Sequence, residues 1–225
     1  MSQIWILLLL IVIAALPVII VFCWFGLRKS PLTLFWFLAA LAAGIISLLV
    51  AALLQSFFPY LDRSGQERPF AVFFNVFFRI AFIEEASRIV ILIPLLGLIK
   101  RRQTIDISFC AALGLVVGLG FAMLESAFHG LADLNITLLR AFTAAPLHGA
   151  CGIRAGVAVF LFTRYPVKAV FTFIFAVLIH GAYNMMIVSP AFPSALAILI
   201  ALTALLSSLP FLKADRDAVK QATIE

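Results

Sequence analysis

Apolar runs of about 20 residues recur along this chain of 225 residues, and a helix needs that length to cross the hydrocarbon core of a bilayer. Turn-forming and charged residues separate the runs, as in RKSP, PYLDRSGQERP, KRRQTID and TRYPVK. These breaks predict seven membrane spans, at about 3–27, 31–58, 70–99, 105–128, 136–163, 167–188 and 191–212. The sequence therefore predicts an all-α polytopic helix bundle, with one domain over 1–212 and a short polar tail over 213–225.

The net charge of +6 is distributed unevenly between the predicted loops. One set of alternate loops holds only Arg63 and Arg68. The other set holds most of the basic residues: Arg28, Lys29, Lys100, Arg101, Arg102, Arg164, Lys168, Lys213, Arg216 and Lys220. Because basic loops remain in the cytoplasm, the N-terminus is predicted outside and the C-terminus inside, in the plasma membrane of the cell. Topology accounts for the positive charge, so no nucleic-acid partner is expected.

A few ionisable side chains lie inside the predicted spans, as in FIEEASRIVILIPLL at 82–96. A helix rises ~1.5 Å per residue, so Glu84 and His148 lie ~24 Å above the basic residues at the cytoplasmic ends of their spans. His180 lies ~18 Å above Lys168, and Glu125 lies ~28 Å above Asp106 at the start of its own span. Each such group costs roughly 2.5–3.5 kcal/mol to insert at mid-membrane. Four costly residues from four spans in one layer predict a shared functional site.

The helical faces of these residues agree with a common site. Glu84 and Arg88 are spaced i, i+4, so the Arg can neutralise a carboxylate, and Glu85 is also within its reach at i+3. Glu125 shares a face with Gly118, and small residues let neighbouring helices approach closely. The alternative to a functional site is a purely structural role, in which buried ion pairs and packed histidines only fix the register of the helices.

Two hydrolytic mechanisms suit two histidines and several carboxylates. In the first, a Glu acts as general base for water, while His and Asn side chains stabilise the oxyanion. In the second, zinc is bound through His148, His180 and a Glu, and the remaining Glu is the base. The H-E-x-x-H spacing is absent, and the three Cys residues lie in separate apolar segments. The sequence therefore favours the glutamic mechanism without a cofactor, and little bound zinc is expected.

Two other classes of protein could use the same residues. A proton- or cation-coupled transporter would place them at a midplane ion site, and it predicts repeated topology, which the sequence lacks. A non-catalytic scaffold would bind a partner helix through the glycine-rich faces.

Four short motifs occur in order on successive predicted spans: EEASR at 84–88, GLGFAMLES at 118–126, PLHGACG at 146–152 and HGAYN at 180–184. Together they resemble the PrsW family of intramembrane proteases, within the wider clan of CAAX-type and bacteriocin-processing membrane proteases. The resemblance covers about residues 70–188. Arg88 stands where PrsW proteins commonly have Lys, and Asn184 stands where Asp is expected.

The resemblance implies cleavage of a membrane-protein substrate within the bilayer, either like an anti-sigma factor or prenylated. It makes Glu84 the general base, with Glu85 and Arg88 as its electrostatic setting, and Glu125 a second essential carboxylate.

The same resemblance implies roles for the remaining polar residues of the motifs. His180 and Asn184 would hold the oxyanion, and His148 would orient water or substrate.

Overall fold

The computed structural model describes residues 3–27, 32–61, 68–131, 133–189, 193 and 195–213, and this part of the chain is helical without a strand. The helices follow in the order α1 Gln3–Ala14, α2 Leu16–Leu27, α3 Leu34–Ser56, α4 Arg68–Phe73, a π-helix Phe74–Phe82, α5 Ile83–Lys100, α6 Ile107–Gly130, α7 Leu134–Phe142, α8 Ala144–Phe162, α9 Pro166–Val188 and α10 Ala195–Leu212. The predicted all-α polytopic bundle is confirmed.

Six helices of the described part are long and apolar enough to cross a membrane: Ile4–Leu27, Leu34–Ser56, Ile107–Gly130, Ala144–Leu161, Pro166–Val188 and Ala195–Leu212. They correspond to six of the seven predicted spans. The remaining one, predicted at 70–99, is helical throughout from Arg68 to Lys100. Its last part, α5, carries Glu84, Glu85, Arg88 and Lys100, so it is less apolar than the others.

Two predicted spans are interrupted, and proline explains both interruptions. The first span is divided at Ala15, because Pro17 has no N–H to donate to the helix. The Ile19 N–H still donates to the Ala15 carbonyl at 2.9 Å. The predicted span 136–163 is divided at Thr143 into α7 and α8. Pro146 then lies in the first turn of α8, where a missing N–H is tolerated.

The orientation of the bundle remains a prediction, because several of its charges lie outside the described residues. These are Arg28, Lys29, Arg63, Arg216, Lys220 and the side chain of Arg68. The tail after Lys213 lies outside them as well.

Helices α6 and α8 form the centre of the bundle. In each of them 78% of the apolar span is buried, against 17–33% in the other four spans. Glycines explain this contact: a Cβ added to Gly114 would lie 2.1 Å from the Gly152 carbonyl oxygen, and one added to Gly118 would lie 2.0 Å from the His148 carbonyl oxygen. The two backbones therefore touch, and this contact places His148 beside α6.

Candidate functional site

Four helices bring ionisable side chains together inside the bundle. α5 supplies Glu84, Glu85 and Arg88, α6 supplies Glu125, α8 supplies His148 and α9 supplies His180. All except Glu125 are buried, and Glu85 and Arg88 have no exposed surface. The common level predicted from the sequence corresponds to direct contacts in the structure.

The start of α5 follows directly on the π-helix, a rare conformation that often occurs at functional sites. Glu84 and Glu85 occupy the first turn of α5. Gly181 on α9 lies against this segment, since a Cβ there would lie 2.2 Å from a ring carbon of Phe77. The close approach at Gly181 holds the neighbouring His180 against α5.

Glu85 is the charge-paired carboxylate of the site. Its Oε1 accepts hydrogen bonds from Arg88 Nη1 and from His180 Nδ1, the latter at 2.7 Å. Because an ionised carboxylate only accepts, His180 Nδ1 carries a proton, and its Nε2 is the nitrogen that faces away from Glu85. Glu85 thereby fixes both the tautomer and the orientation of His180.

Arg88 joins this pair to a second one. Its Nη2 lies 2.6 Å from His148 Nδ1, and His148 Nε2 lies 2.9 Å from Glu125 Oε2. Since a guanidinium only donates, His148 accepts at Nδ1, and its Nε2 faces the Glu125 carboxylate at ion-pair distance. The expected pairing of Arg88 with a carboxylate is found, and Glu85 at i+3 is the partner.

Glu84 is held differently from Glu85. Its Oε1 accepts a hydrogen bond from Gln55 Nε2 at 3.3 Å. Its buried Oε2 makes no hydrogen bond with the described residues and lies 3.7 Å from His180 Nε2. Glu84 Oε2 and His180 Nε2 thus face each other across a short gap, and a metal cation or a proton between them would stabilise this arrangement.

The donor atoms of Glu84, His148 and His180 lie within 4.8 Å of one another, so these three residues could hold a metal ion. Two histidines and one glutamate are a known donor set for catalytic zinc. Tetrahedral zinc holds such ligand atoms roughly 3.4 Å apart, close to the gap between Glu84 and His180. The residues therefore fit a metal, and the unpaired Glu84 Oε2 is the observation on which this rests.

Glu125 marks the more open end of the site. Its side chain is 17% exposed, and its Oε2 lies 2.5 Å from Arg140 Nη2 on α7. His129, one turn later on α6, lies 3.6 Å from its Oε1 and is exposed. A carboxylate between the buried histidine and this edge is the one that water can reach most directly.

Aromatic rings complete the walls around Arg88. The Phe121 ring lies 4.3 Å from the guanidinium carbon of Arg88 and 5.1 Å from the His148 ring. The His148 and His180 rings meet edge to face at 4.9 Å. A cation over an aromatic face is stabilised where water is scarce, so Phe121 helps to keep Arg88 charged and in place.

Asn184 is the predicted site residue that the structure does not join to the others. It is half-buried one turn after His180, and its side chain makes no hydrogen bond with the described residues. The neighbouring Tyr183 donates to Thr143 Oγ1 at 3.1 Å. The proposed oxyanion role of Asn184 therefore remains a prediction.

Gln55 and Arg140 are contact residues of the site to which the sequence analysis assigned no role. Gln55 could have been found as the one amide in an otherwise apolar span. Arg140 lies on a short helix within a predicted span, where a charge needs a partner.

The fold and the site define a class: a polytopic membrane bundle with a buried glutamate–histidine centre. Residues 30–209 match the family model described as PrsW family intramembrane metalloprotease. The match covers four fifths of the chain, and the protein belongs to this family. The resemblance of the four motifs to PrsW proteins is thereby confirmed. No curated protein and no solved structure matches the chain.

Proposed function

We propose that this protein is an intramembrane endopeptidase that uses the Glu84, His148 and His180 cluster to hydrolyse a peptide bond of a membrane-protein substrate. The single observation that supports this most is the convergence of these three donors inside the bundle, in a chain of the PrsW protease family. Family membership favours this proposal over a transporter or a scaffold. A substrate that itself spans the bilayer suits a site at this depth.

In this proposal Glu84 Oε2, His180 Nε2 and one ring nitrogen of His148 would hold a zinc ion. When bound, zinc supplies the Lewis acidity that activates water and polarises a carbonyl. Two of the three ligands are already oriented by neighbouring residues. Glu85 orients His180, and Gln55 bonds Oε1 of Glu84, which leaves its Oε2 for the metal. To bind the metal, His148 would give up the contact of one ring nitrogen, either that of Nδ1 with Arg88 or that of Nε2 with Glu125.

Glu125 is then the carboxylate left to act as general base. Its Oε2 lies 2.9 Å from His148 Nε2, so it is next to the ligand cluster. Arg88 and Arg140 flank the site on its two sides and balance its carboxylates. The bundle around them excludes bulk water from the reaction.

A second candidate is the glutamic mechanism without metal, in which Glu84 is the base. The contacts of His148 favour it, because its Nδ1 accepts from Arg88 and its Nε2 lies 2.9 Å from Glu125 Oε2. The unpaired Glu84 Oε2 would then take the proton from water.

Metal analysis separates the two mechanisms. The sequence alone led us to expect little zinc, but the donor cluster leads us to expect one zinc per chain in protein purified in detergent without chelator. The His148→Ala and His180→Ala variants are expected to contain none. Treatment with 1,10-phenanthroline should abolish cleavage of a fluorophore-quencher single-span peptide, and added zinc should restore it. His129→Ala is the control, since this third histidine lies outside the cluster and its loss should leave zinc bound. Metal-free protein with full, chelator-resistant cleavage would establish the glutamic mechanism instead.

The pair of Arg140 and Glu125 gives a further prediction. Arg140→Met removes the charge facing Glu125 Oε2 at 2.5 Å, and we expect cleavage to fall by about 10–100-fold, as for other residues that support a site from outside it. Glu125→Gln should reduce cleavage further. The double variant should be no worse than Glu125→Gln alone, because residues of one network are not additive. Additive losses in the double variant would show that Arg140 acts elsewhere.

A further inference from the structure

Gln55 is the only residue of α3 with an amide or charged side chain; the rest of this helix is apolar apart from two serines. A polar side chain in a membrane span needs a partner in the protein. Gln55 is half-buried, and its Nε2 donates to Glu84 Oε1, 29 residues further along the chain. The amide therefore connects α3 to the start of α5.

Packing holds Gln55 at this position. Ala51, one turn earlier on α3, forms a small buried cluster with Ile83 of α5 and Phe121 of α6. Ile83 immediately precedes Glu84, and the Phe121 ring contacts the Arg88 guanidinium. The distance between Gln55 and Glu84 is thus set by apolar contacts directly beside the site.

The two neighbouring carboxylates receive different kinds of donor. Glu85 Oε1 faces the charged Arg88 and the His180 ring. Glu84 Oε1 faces a neutral amide, and the buried Oε2 of each carboxylate stays without a hydrogen bond. A neutral donor fixes the carboxylate group without neutralising it, so the second oxygen keeps its full capacity as a ligand.

We propose that Gln55 is a positioning residue for Glu84: its amide anchors Oε1 so that Oε2 faces His180 as a metal ligand. This inference rests on the proposed metal-dependent function. Gln55 contacts Glu84 and is not one of the three proposed metal ligands. Removing a residue that hydrogen-bonds to a metal ligand and orients it typically weakens metal binding by about 10–100-fold.

The test measures zinc affinity without substrate, by competition with a chromophoric chelator and the full chain in detergent. Gln55→Met keeps the length of the side chain and removes the amide. Gln55→Asn keeps the amide but shortens its reach by one methylene. Both variants are expected to bind zinc about 10–100-fold more weakly than wild type. Ser56→Ala, at the exposed neighbouring position, is the matched control and should bind as wild type does.

Thermal unfolding of the metal-free variants accompanies the titration, because a merely structural role would lower the Tm of the metal-free protein and leave the affinity of the folded fraction unchanged. Wild-type affinity in either folded Gln55 variant would overturn the positioning role while leaving the metal proposal intact. If wild type itself binds no zinc, the metal proposal and the role of Gln55 toward it both fail.

Discussion

Glu84→Gln is expected to abolish peptide cleavage while leaving the fold intact, whereas Glu85→Gln is expected to damage both. Both carboxylates keep a buried Oε2 without a hydrogen bond, but Glu84 Oε1 has only a neutral amide as its partner. Replacing it by Gln removes a buried charge and costs little or no stability. Both proposed mechanisms lose their essential group, as zinc ligand or as general base, so we expect a rate loss of at least about 10³-fold, or roughly 4 kcal/mol.

Glu85 occupies an adjacent position but has different surroundings. Its Oε1 is the acceptor for both Arg88 and His180, and all three side chains are buried. Removing one partner of a buried ion pair leaves the other charge uncompensated, at a cost of about 3–5 kcal/mol. Glu85→Gln should therefore lower the Tm clearly and misorient His180, with reduced cleavage as a consequence.

The measurement compares Tm in detergent with cleavage of the single-span peptide for wild type and the two variants. Equal cleavage by wild type and Glu84→Gln would remove Glu84 from the chemistry. Equal Tm values for Glu84→Gln and Glu85→Gln would show that the two carboxylates are not distinguished as the contacts indicate.

Much of this site could be predicted from the depth of each residue in the membrane, which was counted along its helix. Counting residues from the charged cytoplasmic ends of the spans placed Glu84, Glu125, His148 and His180 in one layer, and the structure brings them into contact with one another. Depth follows from the chain because a helix rises by a fixed amount per residue and its end is marked by charge. The glycine faces indicated in the same way which sides of the helices would pack together.

The sequence could not specify how each helix is rotated about its axis, and therefore which partner each side chain faces. Spacing left two partners for Arg88, and the contacts of α5 with α8 and α9 decide that Arg88 lies between Glu85 and His148. Asn184 shares a face with His180, yet its side chain does not reach the described partners of the site. Gln55 and Arg140 enter through tertiary packing of helices outside the four motifs.

Among substitutions that add a single methyl group near the site, Gly118→Ala is expected to lower stability and cleavage the most. A Cβ at this position would lie 2.0 Å from the His148 carbonyl oxygen and 2.8 Å from its carbonyl carbon. These are backbone atoms, so the added methyl cannot be accommodated by a rotamer change. The two helices must separate, and overpacking of this kind costs about 1–3 kcal/mol or more.

The displaced atoms belong to His148, so Gly118→Ala should reduce cleavage per folded molecule as well as Tm. Gly97→Ala is the control, because Gly97 on α5 has no atom within 4 Å of its added Cβ. That substitution should leave cleavage unchanged and can raise stability slightly, since Ala favours a helix over Gly by up to about 1 kcal/mol. Tm and cleavage measured for both variants test the contact directly. Wild-type values for Gly118→Ala would mean that α6 and α8 do not touch at His148, and the position of that histidine in the cluster would then have to be abandoned.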